Sequence, residues 1–364
     1  MSDVDVNSLP SSSSSDSDED MEGQLSDSAE YERRLKAIGG MALTDGPHSW
    51  MGLGTWKSSP GKTKDIVLEA LTSGACKHVD SAPVYQNQKD IGEAIEAFVT
   101  DAGGKRDEIH VTSKLMTYSL PPEEFEEETK RQLRELRIQK LDLMLLQWPV
   151  TTRGTIEEQW RAMEALVRKG LVDKIGVSNF SRKKLEALLK HCEIKPIANQ
   201  VECHPNWRQD DLVQYCKENG IVVQCYGPLG SGDQFSSEGL NRKRTGAPPL
   251  SNPIILELAE KYQATAAQVC LNWAVFHRGT VPLPKTVSKE RLRENAEALN
   301  IVILPEDLAK IDSIKEQYRL QHGAFHTGPT KEFKSLEDLW DEDCSWAEDR
   351  DFERPDGFKL RRSD

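Results

Sequence analysis

Between about residues 38 and 320, short apolar runs alternate with amphipathic stretches. The apolar runs fall at 50–55, 77–80, 109–114, 141–147, 172–178, 197–201, 221–226 and 281–285. Helix-patterned stretches follow them at 63–72, 89–99, 122–136, 156–169, 183–190, 209–218, 253–261 and 289–299. Unbroken apolar runs suit strands buried on both faces, and the stretches between are long enough to cross back over a parallel sheet. Ser181 stands where a helix-capping hydroxyl belongs, just ahead of the fifth such stretch. Eight β–α units in sequence predict an α/β fold, a closed (β/α)8 TIM barrel. The competing fold, an open doubly wound sheet, asks for a glycine-rich phosphate turn after its first strand. Gly52-Leu53-Gly54-Thr55-Trp56 lacks the third glycine, and Gly227, Gly230 and Gly232 run in the wrong order.

The segments outside this alternation carry their own signals. Gly39-Gly40 and Asp45-Gly46 flank Met41–Thr44, which reads as a β-hairpin plugging the N-terminal mouth of the barrel. The long Gly-, Ser- and Arg/Lys-containing segment 227–250 leaves the C-terminal end of a strand, where a working lid belongs. Residues 1–37 read as a disordered acidic, Ser-rich tail, residues 38–320 as the barrel, and residues 321–364 as a C-terminal extension near its mouth. Serines set among acids in the tail also suit phosphorylation by acidophilic kinases.

Charge sharpens that division. The 364 residues include 47 Lys+Arg and 60 Asp+Glu, a formal net charge of −13. Nine of the acidic side chains lie in residues 1–30 with no Lys or Arg, and 331–364 holds twelve acidic against seven basic. The body is therefore close to neutral, which argues against nucleic-acid binding, since phosphate needs a concentrated basic face. Without an apolar run of about 18 residues or a basic-then-apolar leader, neither a membrane span nor secretion is expected. Seven scattered cysteines with no C-x-x-C pair point to reduced thiols in the cytoplasm.

In a barrel, reactive groups sit where strands end. Those positions hold Asp80, Lys114, Gln147, Ser178, Asn179, Gln200, Tyr226, Lys285 and Thr286, with Tyr85 in the loop after Asp80. Asp80 and Lys114, on adjacent strands, can meet as a buried ion pair. A phenol beside that lysine is expected to have a lowered pKa, which makes Tyr85 a candidate general acid. Taken singly, Asp80 also reads as a cap, Lys114 as a rim charge and Tyr85 as a core aromatic. His48, His78, His110 and His204 read as core or hairpin residues. His322 and His326 have a helical i, i+4 spacing but no third ligand, so no metal is expected.

Five motifs in order resemble the aldo-keto reductases, the aldose and aldehyde reductase branch in particular. They are Gly52–Trp56, His78–Asn87, Gly176–Phe180, Asn199–Pro205 and Pro284-Lys285-Thr286 with Arg291, Glu294 and Asn295. The likeness runs from about Gly40 to Ile314 and leaves both tails outside. It implies NADPH-dependent, reversible hydride transfer (4-pro-R) to a small carbonyl substrate by a cytoplasmic monomer. Tyr85 then protonates the carbonyl oxygen, with Lys114 and Asp80 tuning it. By the same resemblance Lys285, Thr286, Ser288 and Arg291 hold the 2′-phosphate, and Glu294 and Asn295 face the adenine. Ser178, Asn179 and Gln200 hold the carboxamide, and Tyr226 stacks on the nicotinamide. Leu229, Ser231 and Asp233 lie on the loop over the pyrophosphate, Thr55 and Trp56 border the cofactor, and Trp56 and Trp148 line the substrate pocket.

Two positions depart from the pattern. Gln147 stands where the family has a catalytic His, in Leu145-Leu146-Gln147-Trp148-Pro149, and Gly227 replaces a common Ser. An amide donates a hydrogen bond but does not titrate. Losing such a group costs on the order of 10²–10³ in rate. Three readings follow: a slower or substrate-restricted carbonyl reductase, a reductase of a conjugated C=C bond, and an NADPH-binding scaffold with little turnover.

Overall fold

The computed structural model describes residues 50–59, 61–151, 154–231, 248–342 and 344, within a unit that runs from Met41 to Asp364. The acidic tail, the Met41–Thr44 hairpin, His48 and Asp233 lie outside the described residues, as does most of the expected lid. Eight strands neighbour one another in chain order: β1 Leu53–Gly54, β2 His78–Asp80, β3 His110–Leu115, β4 Leu141–Leu146, β5 Val172–Ser178, β6 Ala198–Glu202, β7 Val222–Tyr226 and β8 Val281–Leu283. Every pair is parallel, as with Asp80 beside Thr112 and Glu202 beside Tyr226. The cylinder closes where Gly52 and Gly54 donate to the carbonyls of Pro282 and Pro284, both at 3.0 Å. Proline has no N–H, so at those two positions, one in β8 and one just past it, the chain only accepts. A side chain at Gly54 would place its Cβ 2.9 Å from the Leu283 carbonyl, so the close approach requires glycine.

Helices α1 Lys62–Thr72, α2 Gln88–Thr100, α3 Phe125–Glu135, α4 Ile156–Arg168, α5 Arg182–Leu189 and α6 Asp210–Glu218 separate the first seven strands. Ser181 caps α5, its hydroxyl accepting from the Lys184 N–H, as its sequence position predicts. Between β7 and β8 stand two helices, α7 Pro253–Lys261 and α8 Ala266–Asn272, the second continuing as a π-helical turn over Trp273–His277. The hydrophobic pattern predicts only the first. Gln268 to Asn272 of α8 and Trp273 to Phe276 of the π-helical turn are all buried, so this stretch has no solvent-facing side to give it a period. After β8 come α9 Lys289–Glu297, α10 Pro305–Lys310 and a short α11 Leu336–Trp340.

Two apolar layers follow from the strand alternation. Leu143, Leu145, Ala198, Val222, Val281 and Leu283 fill the interior of the cylinder. Met144, Leu146, Val177, Val201 and Val223 face outward into the larger core under the helices, with Ile66, Ile95, Phe98 and Trp160. Toward the C-terminal ends the inward positions turn polar, at Asp80, Lys114, Gln200 and Gln224, all buried. The floor of the barrel is apolar and its upper end is built for chemistry.

Candidate active site

Lys114 is 1% exposed, and its ammonium donates to both Asp80 carboxylate oxygens, at 2.7 and 2.9 Å, and to the Ser81 carbonyl at 3.0 Å. The predicted ion pair is present. Gln200 adds a second charge-assisted bond, Nε2 to Asp80 Oδ1 at 2.7 Å, and also donates to Gln224 Oε1 at 2.8 Å. Buried charges persist when partners share their lone pairs and protons, and here both Asp80 oxygens and the Lys114 ammonium are engaged by groups from neighbouring strands, with only the Gln224 Nε2 left unpartnered at the network's far end. Burial pulls the Lys114 pKa down, against the opposing pull of Asp80. Thr55 joins the arrangement from below, its hydroxyl donating to the Asp80 carbonyl at 2.7 Å while its own carbonyl accepts from Asn87 Nδ2.

Tyr85 ends a 3-10 turn, Pro83–Tyr85, and lies over this pair, with the Lys114 ammonium 5.1 Å from its ring centroid. Its pKa corrects the sequence expectation. Burial pushes the phenol well above its usual value, and the Asp80 charge and Tyr226 push it the same way. The lysine that was to acidify it is already neutralised by the carboxylate it grips. Tyr85 therefore stays protonated throughout the neutral range.

On the opposite side, Gln147 follows the end of β4. Its backbone carbonyl accepts from Asn179 Nδ2 at 2.9 Å, and its buried Oε1 has no hydrogen-bond partner among the described residues. Asn179, at φ +64°, accepts from the Tyr226 hydroxyl at 2.8 Å, and the Ser178 hydroxyl donates to the Gln200 carbonyl at 2.7 Å. Ser178, Asn179, Gln200 and Tyr226 are thus brought together, bonded to one another and to their neighbours. Gly227 sits at φ +59°, where a serine would be strained, which accounts for the departure there.

The candidate phosphate end is the start of α9. Ser288 caps it, accepting from the Arg291 N–H at 3.2 Å and donating to Glu290 at 2.7 Å, and Thr286 accepts from the Ser288 N–H at 3.0 Å. Lys285 and Arg291 are exposed and form no ion pair among the described residues. Lys289 and Arg293 are instead both held 2.7 Å from Glu69 of α1. Two uncommitted cations beside a helix N-terminus fit a phosphate. Glu294 accepts from the Thr265 hydroxyl at 2.7 Å, Asn295 is buried, and Leu229 packs against Met51, Leu271 and Ala298. Ser231, with φ +42°, lies inside the expected lid, and the described residues resume at 248.

Trp56 is 40% exposed, and Trp148 is only 7% exposed because the C-terminal segment covers it. Phe325, His326 and Trp340 approach its ring at 5.4, 4.7 and 5.8 Å. Sequence reasoning missed this wall and its anchor. Glu202, 1% exposed at the end of β6, accepts from the backbone N–H groups of Leu320 and Gln321 at 2.7 and 2.6 Å and pairs with His204 at 2.9 Å. Burial alone would raise the Glu202 pKa, but these partners hold it below the usual carboxylate range. The expected helical spacing of His322 and His326 is not realised: a 3-10 turn over Ala324–His326 follows Gly323 at φ +73°. His78 and His110 are buried and their pKa values are pushed down, as core histidines. Among the described residues, no group of three His, Cys, Asp or Glu is placed to hold a metal, and no helix is long and apolar enough to cross a membrane.

A sequence profile described as "Aldo/keto reductase family" matches residues 37–316. The chain is 38% identical over 311 residues to an aldo/keto reductase of Synechocystis sp., covering 80% of this chain and 93% of that protein. It is 36% identical over 290 residues to aldo-keto reductase family 1 member A1 of Rattus norvegicus, covering 74% and 86% of the two chains. Among solved structures it is similar to the aldose reductase of Schistosoma japonicum, with a TM-score of 0.69 and 32% identity over 76% of this chain and 91% of that one. The aldose reductase of Giardia lamblia gives 0.68 and 30%, over 75% and 95%.

Proposed function

The chain belongs to the aldo/keto reductase family, and from that premise we propose that it reduces an aldehyde or ketone to the alcohol with NADPH. NADPH, when bound, supplies the hydride. Lys285, Thr286, Ser288 and Arg291 receive its 2′-phosphate, Glu294 and Asn295 its adenine, and Ser178, Asn179 and Gln200 its carboxamide beside Tyr226. Leu229 and Ser231 would cover the pyrophosphate, and Thr55 and Trp56 would border the dinucleotide. The uncommitted charges of Lys285 and Arg291 support that fit.

Tyr85 donates its proton to the substrate oxygen, Lys114 and Asp80 set the field around the phenol, and Gln147 orients the carbonyl through its amide without titrating. A phenol with a raised pKa is a weaker acid but is always in the donating form, which suits the reducing direction. The carrying observation is the buried Asp80–Lys114 pair with its ammonium against the Tyr85 ring. We further read the protein as a cytoplasmic monomer, and its seven free thiols support that compartment.

Aldehyde-dependent loss of absorbance at 340 nm tests the reading. Tyr85→Phe should lower kcat by about 10³-fold while NADPH still quenches tryptophan fluorescence. A broad aldehyde panel giving no turnover above Tyr85→Phe, with NADPH bound normally, would leave only the scaffold reading.

A further inference from the structure

Lys114 is held from behind as well as from the pocket. Along the β2–β3 ladder the Ser81 N–H donates to the Thr112 carbonyl at 2.9 Å. Parallel strands repeat such a bond at every second residue, so the next donor, facing the Lys114 carbonyl, belongs to position 83. Pro83 stands there and has no N–H. Gln132 of α3 supplies the bond instead, its Nε2 donating to that carbonyl at 3.1 Å. Gln132 is fully buried, on the face of α3 that carries Phe125 and Leu133 into the core. An amide in such surroundings destabilises the fold unless its hydrogen bonds are made.

Here they are made. Gln132 Nε2 also donates to Glu128 Oε1 at 3.1 Å, and its Oε1 accepts from the Ser113 hydroxyl at 2.6 Å and from Gln88 Nε2 at 3.4 Å. Gln88 Nε2 reaches the Ser113 hydroxyl too, at 3.0 Å. Gln88 opens α2 three residues after Tyr85. The chain between them is set by Gln86, at φ +58°, and by Asn87, whose amide donates to the Thr55 carbonyl at 2.9 Å. One side chain therefore joins the strand end that bears Lys114 to the helix start that follows Tyr85. Ser113 points outward where Lys114 points inward, so the grip is made on the helix side of the barrel wall. We propose that Gln132 is a positioning residue: by holding the Lys114 carbonyl and, through Ser113 and Gln88, the start of α2, it sets the spacing between the ammonium and the phenol.

The inference rests on the carbonyl-reductase reading, and the experiment separates the two. kcat and KM for benzaldehyde are measured for the wild type, Gln132→Met, Tyr85→Phe and the double variant. Rates are taken per NADPH-binding site, counted by tryptophan-fluorescence quenching, so that unfolded protein does not enter. Met keeps the length of the side chain and makes none of its bonds. kcat should fall about tenfold in Gln132→Met with KM and NADPH affinity within about twofold, because a small displacement of the proton donor slows the chemical step alone. In the Tyr85→Phe background, where no phenol remains to be placed, the same substitution should change kcat by less than about twofold. If Gln132→Met does not fold, Ser113→Ala takes its place, since it removes the 2.6 Å bond that orients the amide. A fall of about threefold is then expected, with the same dependence on Tyr85. A kcat within twofold of wild type, a change carried mainly by KM, or an equal fall with and without Tyr85 overturns the proposal. No reduction of benzaldehyde by the wild type overturns the parent reading instead.

Discussion

The upper end of the barrel has two regions of opposite construction. The Asp80–Lys114–Gln200–Gln224 network comes from strand ends, is buried, and is tied together by charge-assisted bonds around Asp80. The pocket wall of Trp148, Phe325, His326 and Trp340 joins β4 to a segment far along the chain, with the wall partly exposed and one imidazole unpartnered. The first is fixed by strand register and has little freedom to vary. The second hangs on a few anchors, Glu202 foremost, and its composition can change without disturbing the network. Chemistry and selectivity are thus built on separate supports.

Breaking the first region should have the largest effect. Lys114→Met leaves Asp80 buried without its counter-charge, so stability should fall by about 3–5 kcal/mol in urea unfolding, with kcat reduced roughly 10³-fold. A fully active, equally stable variant would mean that the pair is decorative. Glu202→Gln attacks the second region: one buried carboxylate that accepts three bonds is replaced by an amide, at a cost of about 1–3 kcal/mol. KM for aromatic aldehydes should rise about tenfold with kcat nearly constant. An equal fall in kcat would join the regions that the comparison separates.

Because the Glu202 pKa is depressed, its contribution to stability is fully present above the unfolded value of about 4.3 and is lost as pH falls through the folded value. Thermal melts should accordingly show the wild type losing its advantage over Glu202→Gln only in acid.

Gln147 sits on the border between the regions. Gln147→His should raise carbonyl turnover roughly tenfold; an unchanged or lower rate would mean that the pocket has been rebuilt around the amide. The smallest expected effect is a null one. With the Tyr85 pKa raised, the phenol is protonated at every pH below that value, so its protonation gives kcat for reduction no basic limb between pH 6 and 9. A limb near neutrality that Tyr85→Phe abolishes would restore the acidic phenol that the sequence suggested.

How much could be read in advance follows the same division. The strands were legible as short unbroken apolar runs, and the pair at Asp80 and Lys114 because strand ends have fixed meaning in a barrel. The sign of the Tyr85 shift was not, since it depends on how completely Asp80 neutralises the lysine and how deeply the ring is buried. Helix α8 escaped because it is buried on nearly every side, its polar Gln268 and Asn272 included, although Thr265 and Gln268 form a capping box that marks its start in the sequence. The wall escaped because contacts such as Trp148 with Phe325 have no local period to announce them.

The joint between the last strand and the first has one more implication. With Pro282 and Pro284 offering oxygens and no protons, that edge holds fewer cross-links than a ladder of ordinary residues. If the cylinder ever breathes, it should part there first. The amide protons of Gly52 and Gly54 are the ones whose exchange with deuterium would time that event.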